Sequence, residues 1–192
     1  SISSPLYQHL KIDISNKIEL EQLKKNKVFS NYQGLVNAAG ITLNNNKENQ
    51  FENFEKTIQI NLKAPYFLSQ IFYESRIKPF NPSSIINISS IGGALGFPNN
   101  PGYCASKGGI EALSRALAVD FIDRNIRVNT VRPGYTETPM NQKSLSDREQ
   151  KEKRSKQRIF NRWALPNEIS ETIFFLLSKK SSFITGSCIT VD

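Results

Sequence analysis

The chain has 192 residues, enough for one domain with a sizeable core, since 38% of them are hydrophobic and 10% aromatic. No apolar run approaches the roughly 18 residues of a membrane span, so no such span is expected. Two cysteines and one histidine, His9, argue against a disulfide framework, a metal site and serine–histidine catalysis, and a net charge of +8 favours anionic partners.

Along the chain, helical and strand patterns alternate. Ile18 to Asn26 reads as a helix and Gly34 to Asn37 as a strand. Asn44-Asn45-Asn46-Lys47 is a polar loop, and a helix is predicted from about Phe51 to Glu74, with Ile58, Leu62, Phe67 and Leu68 as its apolar residues. The run Ser84 to Ser90 predicts a strand over Ile85 to Ser89 that empties into a Gly92-Gly93 loop. A helix carrying Tyr103 reaches about Arg124, a strand follows over Ile126 to Val131, and after a long excursion Pro166 opens a helix to about Leu177. This alternation predicts an α/β fold, a parallel sheet with helices on both faces.

The chemistry is concentrated in Tyr103-Cys104-Ala105-Ser106-Lys107, with Ser90 thirteen residues upstream. On a helix, Tyr103 and Lys107 share one face, one turn apart. A phenol titrates near ~10, and a nearby cation favours its ionised form, which brings proton exchange within reach at neutral pH. Ser90 stands at a strand's carboxyl end, where open α/β sheets keep their chemistry. Alone, a tyrosine and a lysine at this spacing fit an ordinary solvated helix; Cys104 reads as a small apolar packing residue.

These residues resemble the short-chain dehydrogenase/reductase family, with its 3-oxoacyl-(acyl-carrier-protein) reductase and carbonyl reductase branch most similar in appearance. Leu35-Val36-Asn37-Ala38-Ala39-Gly40 resembles the family's NNAG motif with alanine at its second position, and Asn61 matches its helix-borne asparagine. Pro133-Gly134-Tyr135-Thr136-Glu137-Thr138 resembles the loop that closes on nicotinamide, and Ile184-Thr185-Gly186 followed by Val191-Asp192 resembles the final strand. The resemblance implies a Rossmann-like doubly wound sheet and an NAD(P)-dependent oxidoreductase. It implies that Tyr103 donates the proton, that Ser90 holds the substrate oxygen, that Lys107 holds the ribose and, with the oxidised nicotinamide ring, lowers the tyrosine pKa, and that Asn61 holds a water linking the lysine to solvent. Asp13, Asn37, Ala38, Gly40, Pro133, Gly134, Thr136 and Thr138, with Tyr103 and Lys107, are the implied cofactor contacts.

One departure is large. The family opens with a strand, a GxxxGxG turn and a helix that receives the pyrophosphate, and Ser1 to Asp13 supplies none of these. His9 to Ser15 instead looks like the third strand, with Asp13 where relatives contact adenine. The expectation is a single Rossmann-like domain over residues 1–192 that is N-terminally incomplete. A non-catalytic partner subunit without a phosphate cradle is the alternative from another class.

From Lys143 to Arg158, seven basic and three acidic residues carry half of the chain's excess charge. This stretch follows the Pro133 loop, where relatives carry a substrate lid, so it fits an anionic or carrier-bound carbonyl substrate, with a solvated helical face as the plain alternative. It lacks the interleaved aromatics of a nucleic-acid surface. The favoured activity is reduction of a 3-oxoacyl thioester in fatty acid biosynthesis, and the alternative is a sugar, polyol or steroid alcohol dehydrogenase. NADP is favoured over NAD, although the deciding second strand lies outside this sequence. A homodimer or homotetramer is expected; Phe67, Phe72 and Tyr73 with Leu113, Leu117 and Phe121 are candidates for its surface, and burial against the sheet explains some of them equally well. An intracellular location is expected, cytoplasm ahead of mitochondrial matrix.

Overall fold

The computed structural model describes residues 8–43 and 49–192; the Asn44-Asn45-Asn46-Lys47 loop falls outside them. Four strands, β1 (Gly34–Asn37), β2 (Ser83–Ile88), β3 (Ile126–Pro133) and β4 (Cys188–Val191), form one parallel sheet in that order. The register sets Val36 beside Ile86, Ile86 beside Asn129, and Val131 beside Ile189.

Successive side chains of a strand point to opposite faces, and β2 is apolar on both, so both faces must be covered. On one face Ile85 and Val128 pack with Phe72 of α3 (Ala64–Glu74) and Leu117 of α4 (Pro101–Asp120). On the other, Ile86 and Val131 pack with Ile169 and Leu176 of α7 (Pro166–Leu177). Phe72 has no exposed surface, and truncating such a ring typically costs ~3–5 kcal/mol. The other helices are α1 (Lys17–Lys25), whose N-cap Asn16 accepts from the Ile18 amide at 3.0 Å, α2 (Gln50–Ile58), α5 (Gln142–Ser146) and α6 (Arg148–Ser155). Among the described residues no helix is long and apolar enough to cross a membrane.

Two expectations are corrected here, and one choice the sequence left open is settled. The His9 to Ser15 segment is not a strand: no described strand lies beside it to share a ladder, and it closes into a turn in which Asp13 accepts from the amide and hydroxyl of Ser15 at 2.8 and 2.7 Å. The final strand begins only at Cys188, because Gly186 turns the chain at φ +67° and Thr185 Oγ1 accepts from the Val128 amide. Phe72, Leu117 and Phe121, candidates for an oligomer surface with burial against the sheet as the alternative, are core residues exposed by 2% or less.

Candidate active site

The carboxyl ends of three adjacent strands supply the site. β2 delivers Ser90, β1 delivers the Ala38–Gly40 turn, and β3 delivers the Pro133–Thr138 loop. Ser90 has extended backbone, and its Oγ accepts from the Gly92 amide at 3.1 Å, which starts a short 3-10 turn. Pro101 at the first position of α4 needs no intrahelical N–H partner and fixes the helix start, so Tyr103 sits in the first turn and Lys107 in the next. The Ser90 side chain is near enough to the Tyr103 hydroxyl to favour its ionised form, and the Lys107 Nζ lies 5.8 Å from the centroid of the Tyr103 ring.

Burial raises the Tyr103 pKa above its ordinary value, and the Ser90 hydroxyl opposes that rise. Lys107 Nζ donates to the Ile88 carbonyl at 2.7 Å. Burial also pushes Lys107 itself down to about 8. An ammonium has three N–H donors, and only one of them has a partner among the described residues, so two remain for hydroxyls delivered from outside.

Asn61 sits in a π-turn, Gln59–Lys63, between α2 and α3. The wider turn is common at functional positions, because it displaces one residue from the helical row. Asn61 is buried, its Oδ1 accepts from the Ile41 amide at 2.8 Å, and its Nδ2 donates to the Ile41 carbonyl at 2.9 Å and to Ser106 Oγ at 3.1 Å. It therefore clamps the turn after β1 to α4. A Cβ on Gly40 would lie 3.4 Å from Asn61 Oδ1 and 3.5 Å from Lys107 Nζ. Glycine leaves open the space above the two free lysine donors, which fits the ribose of a nicotinamide cofactor.

The remaining expected cofactor residues divide. Ala38 is exposed and Gly40 half-buried at the mouth. The Asn37 side chain turns into the protein, donating to Asn87 Oδ1 at 2.8 Å and Ser69 Oγ at 3.3 Å, so only its backbone faces outward chemistry. Pro133 ends β3, Gly134 donates its amide to the Val191 carbonyl at 2.8 Å, and Asn141 Nδ2 fastens the loop to the Thr136 carbonyl and to Thr138 Oγ1. Asp13 is exposed in its own turn, linked to the Asn61 region by the charge of Lys56 and by the Ser15 carbonyl, which accepts from Gln59 Nε2 at 3.4 Å.

Sequence reasoning missed an aromatic row beside the tyrosine. Phe97 is stacked at 6.5 Å from Tyr103 and 6.4 Å from Tyr135, and Tyr135 meets Trp163 at 5.0 Å. Arg154 and Arg158 lie over the Tyr135 ring at 5.1 and 5.5 Å. Cys104, expected only to pack, also accepts from the Phe97 amide at 3.3 Å and so holds that ring in place. The carboxylates nearby pair with Arg158 through Asp192 and with Arg162 through Glu168, whereas Arg154 has no ion pair among the described residues.

A family model described as Enoyl-(Acyl carrier protein) reductase matches residues 2–192. The chain is similar to a 3-oxoacyl-(acyl-carrier-protein) reductase of Thermotoga maritima, 36% identical over 93% of this chain and 74% of that protein. It is also similar to a cyclohexanol dehydrogenase of an Acinetobacter species, 35% identical over 81% of this chain and 61% of that protein, so it spans about three fifths to three quarters of these relatives' lengths. Among solved structures, a 4-hydroxyisoleucine dehydrogenase complexed with NADH superposes with a TM-score of 0.89 at 30% identity, covering 95% of this chain and 76% of that one. With the parallel sheet, the strand-end serine and the tyrosine–lysine helix, these matches place the chain in the short-chain dehydrogenase/reductase family, whose members are NAD(P)-dependent oxidoreductases.

Proposed function

We propose that this chain reduces a carbonyl to an alcohol, with a 3-oxoacyl thioester as the favoured substrate and NADPH, ahead of NADH, as the favoured coenzyme. The observation that carries the reading is the convergence of the Ser90 hydroxyl, the Tyr103 phenol and the buried Lys107 ammonium beside the opening at Gly40.

A bound reduced nicotinamide supplies the hydride for the carbonyl carbon. Lys107, with two unused donors, holds the ribose hydroxyls, while Ala38, Gly40 and the Pro133–Thr138 loop line the same crevice. Ser90 donates to the substrate oxygen as negative charge grows on it. Tyr103 breaks its O–H bond and gives that oxygen the proton, leaving a phenolate that the neighbouring ammonium stabilises. Asn61 keeps the turn above Lys107 in place, so the phenolate recovers its proton along the lysine side of the site.

The thioester preference rests on Arg154 and the basic 143–158 stretch above Tyr135, which suit an anionic carrier or carrier arm. A cyclic or polyol alcohol substrate is the second reading, supported by the similarity to a cyclohexanol dehydrogenase. A coenzyme-oxidation assay on the full-length protein with an acetoacetyl thioester, simple ketones and sugars tests both. Turnover only with the thioester supports the first reading, and turnover only with cyclic ketones or sugars supports the second. Phe51, Phe54, Tyr66 and Phe67, exposed on α2 and α3, support a homodimer or homotetramer. Sedimentation as a monomer at micromolar concentration would contradict that assembly.

A further inference from the structure

Beside the site lies a buried ion pair that the proton transfer does not use. Glu111, one turn beyond Lys107 on α4, has a side chain only 8% exposed. Its Oε1 accepts from Arg132 Nε at 2.8 Å and from Ser89 Oγ at 2.7 Å, and its Oε2 accepts from Arg132 Nη2 at 2.6 Å. Burial by itself would raise this carboxyl's pKa, but the arginine fork and the serine hydroxyl outweigh it and hold the group below its ordinary value. The guanidinium also donates to Thr190 Oγ1 on β4 at 3.2 Å.

Each of the three residues adjoins a segment of the site. Ser89 directly precedes Ser90, Arg132 directly precedes Pro133, and the Lys107 carbonyl lies 2.9 Å from Ser89 Oγ. The loop after Ser90 rests on the same carboxylate, since a Cβ on Gly93 would stand 2.8 Å from Glu111 Oε1 and 2.9 Å from the Lys107 backbone.

We propose that Glu111 is a positioning residue: through Ser89 and Arg132 it locks the serine loop, the tyrosine–lysine helix and the 133–138 loop in one register, so that Ser90 and Tyr103 reach the same substrate oxygen. This rests on the reading of Tyr103 as proton donor. The titratable groups facing Glu111 are Arg132 from β3 and the Cys188 thiol from β4, which burial and Glu111 push up to about 11, with Arg115 beside the thiol. The thiol is neutral at pH 7, so Glu111 and Arg132 cancel each other's charge. Removing either one leaves a lone buried charge beside the helix that carries Tyr103 and Lys107.

The test uses full-length Glu111→Gln, Arg132→Met and the double variant, with Tyr103→Phe as control. Positioning predicts that Glu111→Gln lowers kcat by ~10- to 100-fold while the coenzyme KM stays within ~3-fold. Carbon-labelled tyrosine NMR on the coenzyme-free protein, with the Tyr103 resonance assigned by Tyr103→Phe, reads the phenol titration directly. It moves down by roughly half a unit in Glu111→Gln, up in Arg132→Met, and returns toward the parent in the double variant. Parental kcat and an unmoved phenol titration, with only a lower Tm, would overturn the proposal and leave a structural strut. If the charged-site variants fail to fold, Ser89→Ala carries the test: it removes one hydrogen bond and no charge, so a ~3- to 10-fold loss of kcat with unchanged titration supports the lock, and parental kcat overturns it. An active Tyr103→Phe protein would instead sink the underlying reading.

Discussion

The Lys107 ammonium donates to the Ile88 carbonyl at 2.7 Å from a side chain belonging to a residue only 5% exposed, with no carboxylate among its partners. A buried cation held by one carbonyl is an energetic cost that the fold carries for its chemistry.

That cost has a pH signature. The folded pKa of about 8 lies below the ordinary 10.5, so the folded chain binds fewer protons than the unfolded one between these values. Stability gained from this group therefore rises as pH climbs from about 8 to 10.5, and below pH 8 the penalty is fully present, on the order of 3 kcal/mol. Lys107→Met removes it and loses the Ile88 hydrogen bond, worth about 1 kcal/mol, so the variant gains roughly 1–2 kcal/mol near pH 7 and melts several degrees higher. The advantage shrinks toward pH 10.5, and turnover is abolished. Thermal melts across that range check the sign; a variant less stable than its parent at pH 7 would contradict it.

Gly93 is the point where the serine loop and α4 touch. The Cβ of Gly93→Ala would meet the Lys107 backbone at 2.9 Å, where no flexible side chain can give way. The substitution should cost ~1–3 kcal/mol and lower kcat more than it raises the coenzyme KM, because it pushes Ser90 away from Tyr103. Urea melts and steady-state kinetics on one preparation measure both effects.

Asn61 serves two backbone groups of Ile41 at once. Asn61→Leu nearly keeps the volume and strands that amide and carbonyl, while Ser106 Oγ keeps its bond to the Tyr103 carbonyl, at an expected cost of ~2–4 kcal/mol. Hydrogen exchange at the Ile41 amide should accelerate strongly, while amides of β2 stay protected. Unchanged protection at Ile41 would show that the asparagine is not the clamp.

Much of this was legible in the sequence because local pattern and tertiary demand agree. Gly34–Asn37 and Pro166–Leu177 stand where periodicity and proline placed them, and Tyr103 and Lys107 lie one turn apart on a single helix. His9 to Ser15 misled because its alternation says nothing of the Asp13 side chain, whose hydrogen bonds from Ser15 close a turn at the segment's end. Phe72, Leu117 and Phe121 stayed open between an oligomer surface and the core because a helix apolar on more than one side has two candidate faces, and only packing separates them. The Ser89–Glu111–Arg132 cluster was invisible for another reason: its members lie on three elements, and only the helical spacing of Lys107 and Glu111 hints at it.

The central claim is that the Tyr103 hydroxyl delivers the proton to the substrate oxygen. The most direct measurement is the single-turnover rate of coenzyme oxidation by full-length Tyr103→Phe with a saturating carbonyl substrate, on a protein whose circular dichroism and coenzyme affinity match the parent. The predicted result is a fall of at least ~100-fold with the fold and coenzyme binding preserved. A rate within a few-fold of the parent would contradict the account.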